Sequence, residues 1–177
     1  AMGTDHDSGP VDVMAVGEFP DRGLWNVHQS YIGEANYANG VKMISHDGAP
    51  GVKFIGEKGW IWVQRGKFDA GPRDLLRTEL ADDAQRLPVS NNHMANFLDA
   101  VRSREEPIAP VEVGHRSNTV CVMHHIAMKL GRRLHWDPTQ EKFIKHGFKD
   151  GKRQVLGDDT EANAMLDYEH RKPWAIV

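Results

Sequence analysis

The feature that most restricts the fold is a series of short strand-forming runs in the first half of the chain, joined by turns of a few residues. The runs cover residues 11–19, 24–38, 41–44, 52–55, 60–63 and 67–70. Between two of them stands Asn39-Gly40, a pair that predicts a type I′ hairpin turn because both residues accept a positive φ. A parallel pair of strands needs a crossover of a dozen or more residues. Connections this short therefore predict antiparallel neighbours.

The apolar spacing of the second half is typical of helices. One stripe at positions i, i+3, i+4 and i+7 consists of Met94, Phe97, Leu98 and Val101. This spacing predicts an amphipathic helix with one apolar stripe. Its start is predicted at Ser90, a good N-cap residue, and its end at Pro107, because proline does not continue a helix.

A longer and more apolar helix is predicted over residues 114–130, after an extended run at 110–113. Gly131 is its predicted left-handed C-terminal residue, because glycine adopts a positive φ without strain. A last short helix is predicted to begin at Asp158 or Asp159. An acidic N-cap with a glutamate three residues on resembles a capping box.

Strands first and helices after them are typical of the α+β class. The sequence therefore predicts an open, predominantly antiparallel sheet with helices packed on one face. Residues 1–150 are expected to form the main α+β unit, and residues 151–177 a C-terminal helix and extended tail of the same domain. A sheet face that carries Trp and Tyr side chains needs cover, so we expect a homo-oligomer that pairs through the sheet.

The composition argues against several functional classes. The chain has 22 Lys and Arg against 25 Asp and Glu, a net charge of -3, so it has no basic footprint for nucleic acid. Its apolar runs are far shorter than a membrane span requires, so no membrane partner is expected. Cys121 is the only cysteine, so no internal disulfide is possible. Its apolar neighbours predict a buried, unreactive thiol.

Motifs for nucleotide or metal binding are missing from the sequence. No G-x-G-x-x-G opens a βαβ unit, and the glycines between residues 48 and 59 lie between strands, which is typical of turns. The adjacent pair His124-His125 is the most obvious metal candidate. Neighbouring helix residues point about 100° apart and do not chelate one ion together. We therefore expect no metal site.

Four residues are candidates for substrate contact. Residues 114–117 open the predicted long helix, where free backbone N–H groups favour an oxygen-rich or anionic ligand. There His115 can exchange a proton near neutral pH, and Arg116 can donate to hydroxyls or carboxylates. The equally weighted alternative is that both hydrogen-bond a facing loop. Trp25 can stack on a sugar ring, although core or interface packing is the commoner use of Trp on a sheet. His28 lies on another element and converges with the others only in three dimensions.

Segments spread over nearly the whole chain carry a family resemblance. They include GVKFIGEKGWIWV (51–63), EPIAPVEVGHRS (106–117), IAMKLGR (126–132), WDP (136–138), GDD with EAN (157–163) and RKPW (171–174). Together they resemble the C-terminal domain of Gfo/Idh/MocA oxidoreductases, in the branch common in Planctomycetes. The resemblance implies a two-domain enzyme in which an N-terminal Rossmann domain binds NAD or NADP and the C-terminal sheet walls the substrate pocket. The implied chemistry is hydride transfer to or from a hydroxyl-bearing carbon of a sugar- or cyclitol-like substrate.

The resemblance has one large departure. The family's dinucleotide fingerprint, its Glu-Lys-Pro catalytic lysine segment and its Asp-x-x-x-His helix have no match here. In relatives all three precede the region where this chain starts. The resemblance therefore implies a chain without catalytic or cofactor-binding residues of its own, completed by a missing Rossmann domain. The implied location is the cytoplasm, or outside it if an upstream segment carries an export signal.

Two alternatives to this oxidoreductase domain stay open at this point. The chain can be a standalone carbohydrate-binding or self-associating module without catalysis. It can also be a metal-dependent sugar lyase or hydrolase that uses some of the ten histidines. The upstream coding sequence tests the first alternative, and metal analysis of protein purified without an affinity tag tests the second.

Overall fold

The computed structural model of the chain describes residues 9–84, 86, 88–168 and 172–173. The strands are β1 (Pro10–Glu18), β2 (Ser30–Tyr37), β3 (Lys42–His46), β4 (Val52–Gly56), β5 (Gly59–Gln64), β6 (Lys67–Gly71), β7 (Leu134–Asp137), β8 (Lys142–Lys149) and β9 (Lys152–Asp158). The α-helices are α1 (His93–Ser103), α2 (Val111–Leu130) and α3 (Thr160–Asn163). Ala1–Asp47 and Ser90–Val177 form a larger compact unit, and Gly48–Val89 form a smaller one.

The strands form two antiparallel sheets. In the larger unit six strands lie in the order β3-β2-β1-β7-β8-β9, and each neighbouring pair is antiparallel. The smaller unit has a three-stranded sheet in the order β4-β5-β6. The predicted α+β class with a predominantly antiparallel sheet is confirmed. β1 is paired on one side with β2 and on the other with the distant β7, where Val13 stands opposite Leu134.

The second half of the chain is not only helical, and that part of the prediction is wrong. Strands β7, β8 and β9 lie between α2 and α3. β7 is four residues long, and β9 is exposed at every one of its seven residues. A strand that buries no side chain has no alternation of apolar and polar residues. The pattern that identifies half-buried strands is therefore absent from β9 and too short to recognise in β7.

Small residues on β1 and β2 allow α2 to lie close to the sheet. Ala15 of β1 stands opposite Gly33 of β2, and both are buried. A Cβ atom on Gly33 would lie 3.0 Å from the ring of His124 on α2. Large side chains fill the core around this contact, each no more than 1% exposed: Val13, Met123, Ile126, Leu134 and Phe143. Burial of each such side chain contributes roughly 1.5–3 kcal/mol, so apolar packing holds the helix on the sheet.

Helix α1 and the first hairpin differ from the prediction in detail. The N-cap of α1 is Asn92 rather than Ser90, and its Oδ1 accepts a hydrogen bond of 2.9 Å from the N–H of Ala95. The Asn39-Gly40 turn joins β2 to β3 as predicted. The Gly40 N–H donates to the Tyr37 carbonyl at 3.0 Å, so Ala38 and Asn39 are the central residues, and only Gly40 after them has a positive φ, 87°. The turn is therefore not type I′, which requires a positive φ at both central residues.

Helix α2 begins one turn earlier than predicted. Its first residue is Val111 rather than Gly114, with Pro110 as N-cap. Proline suits a helix start because the N–H that it lacks has no partner there. The run that reads as extended is thus the first turn of the helix. Gly131 ends α2 with a φ of 62°, as predicted.

No helix in the described ranges is long and apolar enough to cross a membrane.

Two side chains anchor α3 to the sheet. Asp159 is its N-cap, one of the two predicted residues, and its Oδ1 accepts from the Ala162 N–H at 3.4 Å. The Asp159 side chain is 3% exposed and accepts two hydrogen bonds from Arg132, of 2.7 and 3.0 Å. Asn163 exchanges two bonds of 2.8 Å with the main chain of Phe143, accepting from its N–H and donating to its carbonyl. The Asn163 amide thus takes the place of a neighbouring strand.

The smaller unit packs its tryptophans against glycine backbone. A Cβ on Gly51 would lie 2.6 Å from Nε1 of Trp62, and a Cβ on Gly71 would lie 2.6 Å from Nε1 of Trp60. The Lys53 ammonium lies 4.2 Å from a Trp60 ring centroid, a cation–π contact. Both tryptophans therefore serve packing within this unit.

Candidate functional site

A groove of about 470 Å³ lies in the larger unit beside α2. Its sheet side is lined by Tyr31, Tyr37, Met43 and Ser45. Its helix side is lined by residues of α2 between Arg116 and Met128, and His28 lies at the connection into β2. This volume is within the range of small-molecule sites. Phenol, hydroxyl and imidazole groups alternate with methionine side chains, a lining that suits a small ligand with hydroxyl groups.

His124 is the most buried polar residue of the groove. Its side chain projects from α2 and is 4% exposed as a residue. Its Nδ1 lies 3.2 Å from Oγ of Ser45 on β3, and its ring stands against the backbone of Gly33. Its Nε2 is buried and has no hydrogen-bond partner in the part of the chain that the structure describes. Burial lowers the pKa of His124 below the usual 6.5, and a weaker interaction with the Glu34 main chain opposes this shift. The ring is therefore neutral at pH 7.

A second imidazole group lies in a cluster of aromatic rings. The His28 ring centroid is 4.9 Å from that of Tyr31, 6.1 Å from that of Phe19 and 5.9 Å from that of His125. His28 Nδ1 is buried and accepts or donates no hydrogen bond to any of the described residues. The Lys129 ammonium lies 3.8 Å from the Phe19 ring centroid. Burial, and after it the charges of Lys129 and His28, lower the pKa of His125. The surroundings of His125 therefore favour its neutral form.

The predicted pair His115 and Arg116 hydrogen-bonds neighbouring parts of the same unit. His115 Nε2 lies 2.9 and 3.0 Å from the two carboxylate oxygens of Glu141. Arg116 donates from Nε to Glu112 at 2.8 Å and from Nη1 to the Pro138 carbonyl at 3.0 Å. Its Nη1 also lies 2.8 Å from Glu141. This geometry is that of the alternative, in which both residues bind the facing loop. Arg116 also lines the groove, and His115 is not among its lining residues.

Because α2 begins at Val111, residues 114–117 are not the start of the helix, where an anionic ligand was expected. His115 and Arg116 lie in the second turn of the helix, because it begins at Val111. The Gly114 N–H already donates to the Pro110 carbonyl at 3.2 Å. The free N–H groups of a helix are those of its first turn. His115 and Arg116 therefore do not lie at the free N–H groups of the helix start, and substrate contact by either stays a prediction.

The sequence itself matches a known family profile. The profile is described as "Oxidoreductase family, C-terminal alpha/beta domain", and it matches residues 32–176. The chain belongs to the Gfo/Idh/MocA oxidoreductase family. The match begins within β2 and contains most of the groove, including Ser45 and His124, whereas Trp25 and His28 precede it. Comparison with curated proteins gives no match.

In this Gfo/Idh/MocA domain, Trp25 lies on the connection between β1 and β2. It is 77% exposed, and its neighbours Leu24 and Val27 are 99% and 49% exposed. Trp25 is not part of the groove lining. Of the four predicted contact residues, the groove thus brings together His28 and Arg116 and leaves out Trp25 and His115.

Cys121 is exposed, so the expectation of a buried thiol is wrong. It lies on the groove side of α2, where its Sγ donates a long bond of 3.8 Å to the Ser117 carbonyl. The core-facing side of α2 is set by Val120, Met123 and Ala127, which follow the i, i+3, i+7 pattern. Cys121 is one residue beyond Val120 and points about 100° away from it.

The sequence alone does not identify His124 or Ser45 as site residues. The paired histidines are visible in the sequence, but the partner of His124 is 79 residues away along the chain. Nothing local to either residue indicates that α2 lies beside β3. In the part of the chain that the structure describes, no three side chains of the His, Cys, Asp and Glu types converge as metal ligands. The metal-dependent alternative therefore has no structural support there.

Proposed function

We propose that this chain is the substrate-side and oligomerisation domain of an NAD- or NADP-dependent oxidoreductase that transfers hydride to or from a sugar- or cyclitol-like substrate. The observation that carries this proposal is the family match over residues 32–176. The segments that resemble family members further favour the branch common in Planctomycetes. Under this proposal, another domain carries out the hydride transfer.

The chemistry of the groove supports the substrate half of the proposal. A neutral imidazole, a phenol and a hydroxyl can each donate and accept hydrogen bonds, as a sugar hydroxyl does. These groups come from Tyr31, from Ser45 and from His124, whose Nδ1 lies 3.2 Å from the Ser45 hydroxyl and so helps to orient it. The described lining residues include no Asp or Glu, and the cationic Arg116 among them is paired with Glu141. A described lining with hydrogen-bonding groups and no unpaired charge suits an uncharged ligand with several hydroxyl groups.

The described residues do not form a cradle for a dinucleotide. Gly56 and Gly59 stand opposite each other at the turn between β4 and β5, an antiparallel hairpin. A pyrophosphate site needs a glycine-rich turn between a strand and the start of a helix. We infer that NAD or NADP is held by a separate Rossmann domain, where it exchanges the hydride when bound. The residues of this chain would orient the substrate and exclude water.

The outer face of the six-stranded sheet supports self-association. Side chains alternate along a strand, so Val16, Ile32 and Ile44 share the face opposite α2. They are 53%, 54% and 52% exposed. Arg133 lies beside them and pairs with Glu34 at 3.1 Å. Exposed apolar groups with a charged surround are typical of protein interfaces. A second copy of the chain is the proposed partner.

Titration of NADH, glucose and myo-inositol into the purified chain tests this function. We expect no saturable complex with NADH at micromolar concentration, and groove-localised amide shifts in NMR spectra with at least one of the two polyols. Ser45→Ala should weaken polyol binding about fivefold, the effect of one hydrogen bond of about 1 kcal/mol. Ser103→Ala, at the exposed end of α1, is the matched control and should leave binding unchanged.

Different results would refute the cofactor assignment and the substrate class. A micromolar NADH complex would refute the assignment of the cofactor to another domain. Absence of groove shifts with both polyols would refute the substrate class. Micromolar polyol binding, together with upstream coding sequence that lacks a dinucleotide fold, would favour a standalone module. A monomer at all concentrations in sedimentation experiments would exclude the proposed oligomer.

A further inference from the structure

His124 lies where α2 meets the edge of the six-stranded sheet. β3 ends that sheet and has β2 as its neighbour. The bond of His124 to Ser45 is a direct polar link from α2 to this edge strand. The opposite side of the ring contacts the backbone of Gly33 on β2. A single imidazole thus fills the space between a helix, an inner strand and an edge strand.

The hydrogen bonds available to His124 suit its neutral form. A neutral ring has one donor nitrogen and one acceptor nitrogen, and Ser45 can serve either role at Nδ1. A charged ring has two donors, and the second, at the buried Nε2, has no hydrogen-bond partner of good geometry among the described residues. An unpaired buried donor on a charged group is costly, because the protein does not replace the lost hydration.

Among the described residues, none that lines the groove beside His124 offers a counter-charge. The polar and titratable groups that line the groove with it are Arg116, Ser117 and Cys121 on α2, Tyr31 and Tyr37 on β2, Ser45 on β3, and His28 before β2, while the adjacent His125 points about 100° away on the helix. None of these groups is a carboxylate. The nearby carboxylate of Glu34 already forms ion pairs with Lys42 and Arg133, so its negative charge is balanced by theirs. Protonation would therefore place an uncompensated charge at the contact.

The ring cluster beside the groove acts in the same direction. His28 and His125 lie 5.9 Å apart between centroids, and Lys129 already contributes one positive charge beside Phe19. Protonation of either histidine adds like charge next to Lys129. An effect of acid on this cluster would act where α2 meets the connection between β1 and β2, apart from the contact of His124 with β3.

We propose that His124 is an acid-sensitive latch: the neutral imidazole holds β3 against α2, and protonation releases the edge strand and widens the groove. The groove beside the ring gives the released side chains room to move. The latch does not depend on which ligand occupies the groove. Its failure and the failure of the proposed function are therefore separate results.

Amide hydrogen exchange at pH 7.5 and pH 5.5 tests the latch, with rates corrected for the intrinsic effect of pH. Stability that His124 provides is present above 6.5 and lost as the pH falls below 6.5 towards the lower pKa of the folded state. One pH unit below 6.5 limits the effect of one histidine to about tenfold. We expect protection of β3 and the facing part of α2 to fall by up to this factor. In His124→Phe, protection should not change with pH, and in the exposed control His93→Phe it should fall as in the natural chain.

NMR titration of the natural chain keeps the test decisive if His124→Phe does not fold. The ring protons of His124 should titrate below pH 6.5, and the amides of β3 should shift with the same midpoint. Amides of β3 that are insensitive to pH, or that follow His28 or His125 instead, would overturn the proposal. Unchanged pH sensitivity in a folded His124→Phe variant would overturn it as well.

Discussion

Replacement of Asp159 by alanine is expected to destabilise the larger unit by about 3 kcal/mol. The carboxylate is 3% exposed and accepts two hydrogen bonds from Arg132. Removing one partner of a buried, bonded charge pair costs about 3–5 kcal/mol. The lower end applies because the Arg132 side chain is 37% exposed and keeps its contact with Glu161. The cap bond to Ala162 is long, 3.4 Å, so we expect little further loss from it.

Urea unfolding, followed by tryptophan fluorescence and circular dichroism together, measures this change. In a thermal melt followed by the same two signals, a loss of 3 kcal/mol lowers the midpoint by about 6–12 °C for a chain of this size. Arg132 holds the pKa of Asp159 below its ordinary value of 3.8. The stability from Asp159 is therefore present above pH 3.8 and lost as the pH falls below it. Asp159→Ala should accordingly remove part of the acid sensitivity of the natural chain.

Asp158→Ala is the matched control, one residue away. The Asp158 side chain is 55% exposed and pairs with Lys142 at the surface. Surface pairs contribute about 0–1 kcal/mol, so this variant should unfold close to the natural chain. Equal midpoints for the two variants would show that the buried pair of Asp159 and Arg132 does not anchor α3, and would refute the reasoning.

Two further predictions concern the contacts of α2 and α3. Asn163→Ala should cost about 2 kcal/mol in urea unfolding, because both bonds to the Phe143 main chain are lost. A change below 0.5 kcal/mol, roughly that of a surface substitution, would exclude this role. Gly33→Ala should cost about 1–3 kcal/mol, because its Cβ would lie 3.0 Å from the His124 ring. Gly114→Ala, with nothing within 4 Å of its Cβ, should instead stabilise α2 by about 0.5–1 kcal/mol. Changes of the same sign would contradict this account of the two glycines.

The sequence predicts this fold well where the pattern is local. Short turns predict the antiparallel hairpins, and cap chemistry predicts Gly131 and Asp159 correctly. The prediction fails where burial does not follow local alternation, as in β9 with no buried residue. It also fails at Pro110, because a proline before a helix and a proline in an extended run have the same φ.

The candidate site is harder to predict because its residues meet only through tertiary packing. Trp25 and His115 have suitable chemistry but lie outside the groove lining, whereas Ser45 and His124 form it. The tyrosines expected on a face that needs a partner also differ from expectation. Tyr31 and Tyr37 pack against the core on the inner face. Which face of a strand is covered depends on the register with β1, which no single segment encodes.

The pairing of β1 with β7 has a consequence for synthesis on the ribosome. The middle of the larger sheet joins residues 12–13 to residues 134–135, so its core remains open until the chain beyond them has emerged. The smaller unit, Gly48–Val89, has its strand partners close in sequence and can form well before that time. During this interval β1, β2 and β3 expose the surface that α2 later covers, which makes this stage the one most open to aggregation.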